Sequence, residues 1–431
     1  MTVAAASERT LAILRRIDPV PLVIFAVFFA FYFQAGGVLR NTAAYDRGDA
    51  FFRADTRRAW RDMVGDRLSA HVHTSGHPNF VIFHQPAGTA LTSMVKKHWR
   101  CSKAEANKTA TMLMTAAAAA GTAGFFYLLL AANGVARLHS VLFTCVLGLS
   151  SVGIFYASVP ETYVFSSLGL TAIAWLASRP GGTGEPGWQL AAVYAWSALT
   201  TNIVLIGIWS LARHWGRPLK EWIRRVAVST AISAALVVAV NLLQKLIFPG
   251  TVLFFASHSV AKESHWLYWE RLLSPVETTR ILLQHQWLSN IIAPEPEKTF
   301  PFGPDAPMAS IEAGSWAMFA PAWPLFALWS LVLLGAATAL LDRRFYTPAI
   351  LAALGVMAFN FCFFFVFGHD RMLYAALWTP VSVFLVAAGT ESLVRRAPAL
   401  SKALPVVLAV LVVGEGWHNW QFLGKIAALV K

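Results

Sequence analysis

Long apolar blocks are the feature that most limits what this chain can fold into. They cover residues 20–34, 142–155 and 404–413, without the spacing of an amphipathic helix. A bilayer core offers no water to exposed backbone groups, so such blocks cross it as helices. Only 13% of the residues are charged, against about 25% in a typical soluble chain. The sequence predicts an all-α polytopic membrane protein with a single transmembrane domain over residues 1–431.

The chain carries a net charge of +13, and much of its Arg and Lys lies in short loops between apolar blocks. Positive charge in such loops marks the cytoplasmic side of a membrane protein. No basic surface with interleaved aromatic residues lies outside the predicted spans, which argues against a nucleic-acid partner. Cys145 and Cys362 fall inside predicted spans, so neither a disulfide framework nor a CxxC metal site is expected.

The N-terminal residues orient the whole chain. Arg9, Arg15 and Arg16 precede the first apolar stretch and are expected to keep the N-terminus in the cytoplasm. That stretch exceeds the ~7 to 15 apolar residues of a cleaved signal peptide, so residues 19–38 are predicted to form an uncleaved span. The small residues at positions 35–37 resemble a cleavage site and keep the signal-peptide alternative open.

The same charge rule predicts about eleven membrane segments, with the basic clusters almost all inside. Residues 188–211 are too short for two full spans and are predicted to form two half-length helices that turn at Thr200-Thr201-Asn202. The other predicted spans cover about residues 19–38, 109–132, 139–157, 163–178, 226–247, 319–341, 347–367, 372–390 and 403–414.

Two long segments are predicted to lie outside the membrane. Residues 39–108 form the first external loop, with juxtamembrane helices. Residues 78–95 are interpreted as one of these helices, because two prolines, a His and a Gln interrupt their apolarity. Residues 249–318 form a second external loop, which is partly helical at residues 272–292. Its length predicts that it covers a functional site.

The first candidate site residue is Asp55, at the start of a predicted amphipathic helix in the first external loop. Arg57 and Arg58 follow it at once, and neighbouring positive charge keeps a carboxylate ionised. An ionised carboxylate at a membrane surface can act as general base toward a hydroxyl. Two alternatives stay open: Asp55 caps the helix, or Asp49 is the base.

His77 is the second candidate, because it directly precedes the helix-starting Pro78. It can hydrogen-bond a phosphate, or it can join His71 and His73 as a ligand of a divalent metal ion. The metal dependence is left open by the sequence. The simpler alternative is that His77 makes an ordinary polar contact.

Two further candidates lie at predicted external ends of spans. Glu161 can orient an acceptor or bind a cation, unless it only complements a helix dipole. Arg371, in His369-Asp370-Arg371, can make bidentate contacts to a phosphate, unless it only anchors the interface. The predicted topology places Asp55, His77, Glu161 and the segment 369–371 on one side of the membrane.

The order of these motifs resembles the GT-C class of polyprenyl-phosphate-sugar glycosyltransferases, which includes protein O-mannosyltransferases and the lipid A aminoarabinose transferase. The segment Asp55-Thr56-Arg57-Arg58 is similar to the Asp-Glu segment with the catalytic acid of that class. His77-Pro78-Asn79-Phe80 resembles its His-Pro-Pro-Leu element, and Glu161 resembles its second acid. The chain departs from the pattern at Thr56, at Asn79 and at Asn202, where a Lys is frequent.

The resemblance implies an inverting transferase that moves a sugar from a polyprenyl-phosphate carrier to a hydroxyl of a glycolipid, polysaccharide or protein. Residue use and compact loops suggest a bacterial inner membrane, with the site facing the periplasm, and an endoplasmic reticulum membrane stays open as the alternative location. A polytopic transporter or a flippase for lipid-linked glycans is the alternative, but the two halves show no internal repeat. The implied catalytic residues are Asp55 and Glu161, and the implied donor-phosphate or substrate contacts are Arg57, Arg58, His77, His369 and Arg371.

Overall fold

The computed structural model of the protein describes a defined part of the chain. Four residues named above lie outside this part: Arg9, Arg15, Arg16 and His369. The described residues are 18–179, 185–301, 303, 306–311, 315–368 and 370–430, with backbone only at 72, 73, 260 and 262.

The described chain is built almost entirely from helices, and one small antiparallel sheet pairs β1 (Glu297–Thr299) with β2 (Met308–Ser310). The first nine α-helices are α1 (Val20–Leu39), α2 (Thr56–Val64), α3 (Phe80–Trp99), α4 (Lys103–Ala132), α5 (Arg137–Leu149), α6 (Ser151–Ser158), α7 (Tyr163–Ser178), α8 (Glu185–Ala198) and α9 (Asn202–Arg213). The rest are α10 (Leu219–Ile247), α11 (Ser257–Ser264), α12 (Pro275–Trp287), α13 (Trp323–Ala337), α14 (Pro348–Val366), α15 (Arg371–Tyr374), α16 (Thr379–Arg396) and α17 (Leu400–Leu429). Short 3₁₀ turns occupy Val72–Ser75, Trp269–Leu273, Trp316–Ala322, Thr338–Leu341, Arg343–Phe345 and Ala375–Leu377.

Six helical stretches within the described residues are long and apolar enough to cross a membrane, and eight if two bent pairs each count as one span. The bent pairs are α5 with α6, at 55°, and Arg371–Leu377 with α16, at 59°. The six are α1, α4, α10, Trp316–Leu341, α14 and α17. Every predicted membrane segment has a helix at its position, and the predicted all-α polytopic architecture is confirmed.

The half-length pair and the interfacial helix also have the predicted form. Helix α8 ends at Ala198 and α9 begins at Asn202, so the chain turns at the predicted polar triplet. Asn202 is buried there and donates to Ser166 Oγ, at 2.6 Å, and to the Ala195 carbonyl. Helix α3 is not among the six span candidates, which fits its interpretation as a juxtamembrane helix.

The end of the last helix differs from the prediction. The predicted last span stops at residue 414, before Glu415, whereas α17 continues to Leu429. One polar residue of this continuation, Asn419, has hydrogen-bond partners beside the helix. Asn419 Nδ2 donates to the Leu149 and Ile291 carbonyls, and Asn419 Oδ1 accepts from the Ala293 N–H.

Small residues allow the central helices to approach closely. Helix α4 is rich in Ala and Thr, is buried along most of its length, and packs against α1 and α7. A Cβ at Gly169 would lie 2.8 Å from Cα of Ala195, so this glycine permits the contact of α7 with α8. Close approach between small residues is a main source of helix association in membranes. This packing fixes the α6–α7 turn, which carries Glu161.

The segment after α10 folds back onto the first loop. The Phe52 N–H donates to the Ala309 carbonyl and the Ala309 N–H donates to the Ala50 carbonyl, both at 2.9 Å. Ala309 of strand β2 therefore forms an isolated β-bridge with Phe51, in the loop that leads into Asp55. The backbone conformation of this loop depends on both segments.

Candidate active site

The loop before Asp55 has an unusual backbone. Asp49, Phe52 and Arg53 have φ values of 58°, 50° and 60°, although left-handed conformations are uncommon for residues with a Cβ. Such residues persist only where the surroundings fix them, and they cluster at functional sites. Here the pairing with Ala309 and the contact of the Phe52 ring with Phe155, at 5.0 Å between centroids, supply that support.

Asp55 is the N-terminal boundary residue of α2, but its side chain makes no capping hydrogen bond. Its Oδ2 instead accepts from Arg58 Nε at 2.9 Å. The side chain is 38% exposed, the most accessible of the carboxylates around Arg58. The side chain of Asp55 therefore does not cap the helix, and its carboxylate is partly accessible to solvent.

Arg58 joins three carboxylates. Its guanidinium lies 2.9 Å from Asp55, 3.4 Å from Asp62 and 3.9 Å from Glu161. Burial opposes the charge of Arg58, but Asp55, Glu161 and Asp62 outweigh it and raise the pKa of the guanidinium. Arg58 is a fixed cation that organises the acidic side chains of the site.

Glu161 lies in the turn between α6 and α7 and is buried. Its Oε2 accepts from the Asp55 N–H at 3.0 Å, and its Oε1 accepts from the Thr162 N–H and hydroxyl at 2.6 and 2.8 Å. The pKa of Glu161 is raised overall. Burial is the main cause and the charge of Asp55 adds to it, whereas the charge of Arg58 acts in the opposite direction. Since its hydrogen-bond partners among the described residues are all donors, Glu161 acts as an acceptor that holds the backbone of Asp55.

Asp370 and Arg371 form a second group of charged residues near the first. We call the cluster of Asp55, Arg58 and Glu161 the first wall of the site and this second group its second wall. Asp370 Oδ1 accepts from the Met372 N–H at 2.9 Å and starts α15. Burial raises the pKa of Asp370 to about 6, against the Met372 N–H and the charges of Arg371 and Arg53. Arg53 belongs to the loop before Asp55, so the two walls are within electrostatic reach of each other.

Arg271 adds a second cation to this wall. It lies over the Tyr268 ring, at 4.4 Å from the ring centroid, and is within electrostatic reach of Arg371. The Tyr268 N–H donates to the Val366 carbonyl, which ties the outer segment to the end of α14. Two arginines close together favour an anion between them, because a phosphate relieves their mutual repulsion.

Tyrosine rings connect the two walls. The Tyr163 ring centroid lies 5.5 Å from that of Tyr374 and 6.2 Å from that of Tyr156. The Tyr156 hydroxyl donates to the Met372 carbonyl at 2.9 Å, and Glu161 precedes Tyr163 by two residues. The structure thus brings Asp55, Glu161 and Arg371 together around an aromatic wall.

The remaining predicted residues have distinct surroundings. His77 is buried, its Nδ1 lies 2.7 Å from the Ala198 carbonyl, and its ring meets Tyr163 edge-on at 6.2 Å. Its neighbour Asn79 donates to Ser197 Oγ and the Val237 carbonyl. Arg57 is exposed on α2, and His369 lies outside the described residues.

The described side chains do not fit a resident metal ion. No group of three or more His, Cys, Asp or Glu among them has a ligand arrangement. His71 Nδ1 is bound to Asp62, and Glu161 accepts from N–H and O–H donors. The side chain of His73, from the predicted ligand set His71, His73 and His77, lies outside the described residues.

Three residues of this site were not predicted in these roles. Asp62 could have been found, because it stands four positions after Arg58, a spacing that predicts an ion pair on a helix. His71 and Arg271 give no such signal, because their partners are brought to them by loops and by long-range packing.

The fold defines the class: this is a multi-pass membrane protein with a GT-C-like fold, as the motif resemblance predicts. In particular, the chain is similar to the crystal structure of ArnT from Cupriavidus metallidurans bound to undecaprenyl phosphate. The TM-score is 0.51 at 13% identity, over 96% of this chain and 78% of that chain. No protein-family model and no curated protein sequence matches the chain.

Proposed function

We propose that this protein transfers a sugar from a polyprenyl-phosphate carrier to an acceptor hydroxyl, on the periplasmic side of a bacterial inner membrane. The observation that carries the proposal is Asp55, an accessible carboxylate held by Arg58 and Glu161, in a site whose second wall carries Arg271 and Arg371. A base on one wall and cations on the other are what displacement of a sugar from a phosphate requires.

In the proposed reaction, Asp55 takes the proton of the acceptor hydroxyl as the acceptor oxygen bonds to the anomeric carbon. The bond from that carbon to the phosphate oxygen breaks, and the carrier phosphate leaves with the electron pair. One direct displacement inverts the configuration at the anomeric carbon. Arg371 and Arg271 stabilise the negative charge that develops on the departing phosphate.

Glu161 and Arg58 serve this step without accepting the proton. Glu161 binds the Asp55 N–H and Arg58 binds Asp55 Oδ2, so backbone and side chain of the base are both oriented. We assign Arg57, His77 and His369 to donor contacts on the strength of the motif resemblance. Arg58 is engaged by carboxylates, and we assign it to the base rather than to the phosphate.

Two observations support a lipid-linked donor. The similar structure of ArnT holds undecaprenyl phosphate. In this chain Arg271 and Arg371 lie beside the ends of apolar helices, where a lipid tail can stay in the bilayer while its phosphate reaches the site. The acceptor we propose is a hydroxyl of a glycolipid, a polysaccharide or a protein.

The direct test uses the full chain purified in detergent, radiolabelled polyprenyl-phosphate sugars and an acceptor extract from cell envelopes. We expect label to move from one carrier to an acceptor. The same protein reconstituted in vesicles tests the alternative. Label that crosses the bilayer, with no transfer from any carrier, would assign the chain to the transporters.

Arg371→Ala is expected to weaken carrier binding by about tenfold or more, because a lost charged hydrogen bond costs about 1.5–3 kcal/mol. The measurement is the Kd for a polyprenyl phosphate in detergent. Arg343→Ala, an exposed arginine in the turn before α14, is the matched control and should bind as wild type does. Unchanged affinity in Arg371→Ala would make Arg371 an interfacial anchor.

A further inference from the structure

A buried Asp–His pair contacts Arg58, and the proposed chemical step leaves it without a role. Asp62 Oδ2 lies 3.4 Å from Arg58 Nη1, and Asp62 Oδ1 lies 2.7 Å from His71 Nδ1. Both side chains are almost completely buried. A continuous chain of contacts therefore runs from His71 through Asp62 and Arg58 to Asp55.

The contacts define the hydrogen-bond role of His71. Asp62 Oδ1 is an acceptor, so Nδ1 donates to it. The Nε2 atom is buried without a hydrogen-bond partner among the described residues. The hydrogen bond to Asp62 is therefore what the imidazole of His71 supplies to this cluster.

That hydrogen bond matters because three carboxylates share the single positive charge of Arg58. One guanidinium faces Asp55, Asp62 and Glu161, and the adjoining loop adds Asp49, Arg47 and Arg53. A guanidinium is planar, so the direction of Nη1 fixes the directions of Nε and Nη2. The contact of Nη1 with Asp62 therefore restrains the plane in which Nε meets Asp55. The hydrogen bond from His71 holds Asp62 with Oδ1 toward the imidazole and Oδ2 toward Arg58.

We propose that Asp62 and His71 are positioning residues for the base: they fix the plane of Arg58 and thereby the orientation of Asp55. The inference rests on the proposed function, since it concerns the group that takes the acceptor proton. Both side chains are almost completely buried, so their effect on the reaction passes through Arg58.

A purely structural role is the competing explanation, because the segment of His71 is also tied to the outer loop. The His71 N–H donates to the Gly250 carbonyl at 3.1 Å. Thr74 Oγ1 donates to the Val252 carbonyl and accepts from the Val252 N–H, both at 2.8 Å. These ties do not involve the imidazole, so Thr74 offers a matched control on the same segment.

The test compares His71→Phe, His71→Asn and Thr74→Val in the full chain. Phe keeps a ring but removes the donor, and Asn places an amide N–H near the position of Nδ1. We expect His71→Phe to lower kcat by about 10- to 100-fold, as small displacements of catalytic groups do. The KM for the carrier should stay within about twofold. His71→Asn should recover most of the loss, and Thr74→Val should behave as wild type.

A second readout does not depend on turnover. Carbodiimide labelling of Asp55, followed by peptide mass spectrometry, should be faster in His71→Phe because Arg58 protects the carboxylate less. Wild-type kcat and labelling in His71→Phe, or an equal loss in Thr74→Val, would overturn the inference while leaving the proposed function intact. If wild type transfers no sugar, the proposed function fails, and the labelling rates alone decide the positioning role.

Discussion

Asp55→Asn is expected to abolish sugar transfer, with kcat lowered by about 10³-fold, because an amide cannot take the acceptor proton and general bases contribute about 10² to 10⁴. The amide oxygen still accepts from Arg58 Nε, and the backbone N–H still binds Glu161. Carrier affinity and thermal stability should therefore stay at wild-type values. The measurement is transfer of radiolabel from the carrier that proves active, at saturating donor.

Asp49 supplies the matched control for this variant. It lies in the same loop, and its φ of 58° is one that Asn adopts readily. Asp49→Asn should retain activity within about threefold. The reverse pattern, an inactive Asp49→Asn and an active Asp55→Asn, would make Asp49 the base. Wild-type transfer by both variants would remove carboxylate base catalysis by this loop from the mechanism.

The helical architecture is readable from sequence because it depends on local composition. Apolar blocks predict helices wherever lipid is the solvent, and the polar triplet at Thr200-Thr201-Asn202 predicts the turn between α8 and α9. Local composition does not predict that α17 continues beyond the predicted span, which ends at residue 414, as far as Leu429. The partners of Asn419 lie at residues 149, 291 and 293, more than a hundred positions away, and local composition carries no trace of them.

The site divides in the same way. Arg58 lies three residues after Asp55 and four before Asp62, so helix geometry alone predicts that it contacts both. Topology places Glu161 on the side of Asp55, but the bond from its carboxylate to the Asp55 N–H spans 106 positions. Arg271 and His71 depend on loops that fold back, and no spacing rule reaches them.

Glu161→Gln is expected to lower kcat by about 100-fold and to destabilise the protein, for one physical reason. The carboxylate accepts from the N–H groups of Asp55 and Thr162 and from the Thr162 hydroxyl, and it lies near Arg58. An amide must turn an NH₂ group toward one of these donors. A buried donor left unsatisfied costs about 1–3 kcal/mol, and the backbone of Asp55 loses its anchor.

Thermal unfolding and kcat measured together separate this role from that of the base. Glu161→Gln should lose both stability and turnover at unchanged carrier affinity, whereas Asp55→Asn should lose turnover alone. Glu295→Gln, at a half-exposed carboxylate paired with Lys425, is the control for removing a charge and should change neither. Full stability with no activity in Glu161→Gln would mean that Glu161 itself contacts the substrate. Glu161 would then be the base, alone or together with Asp55, and would no longer be assigned as a positioning residue.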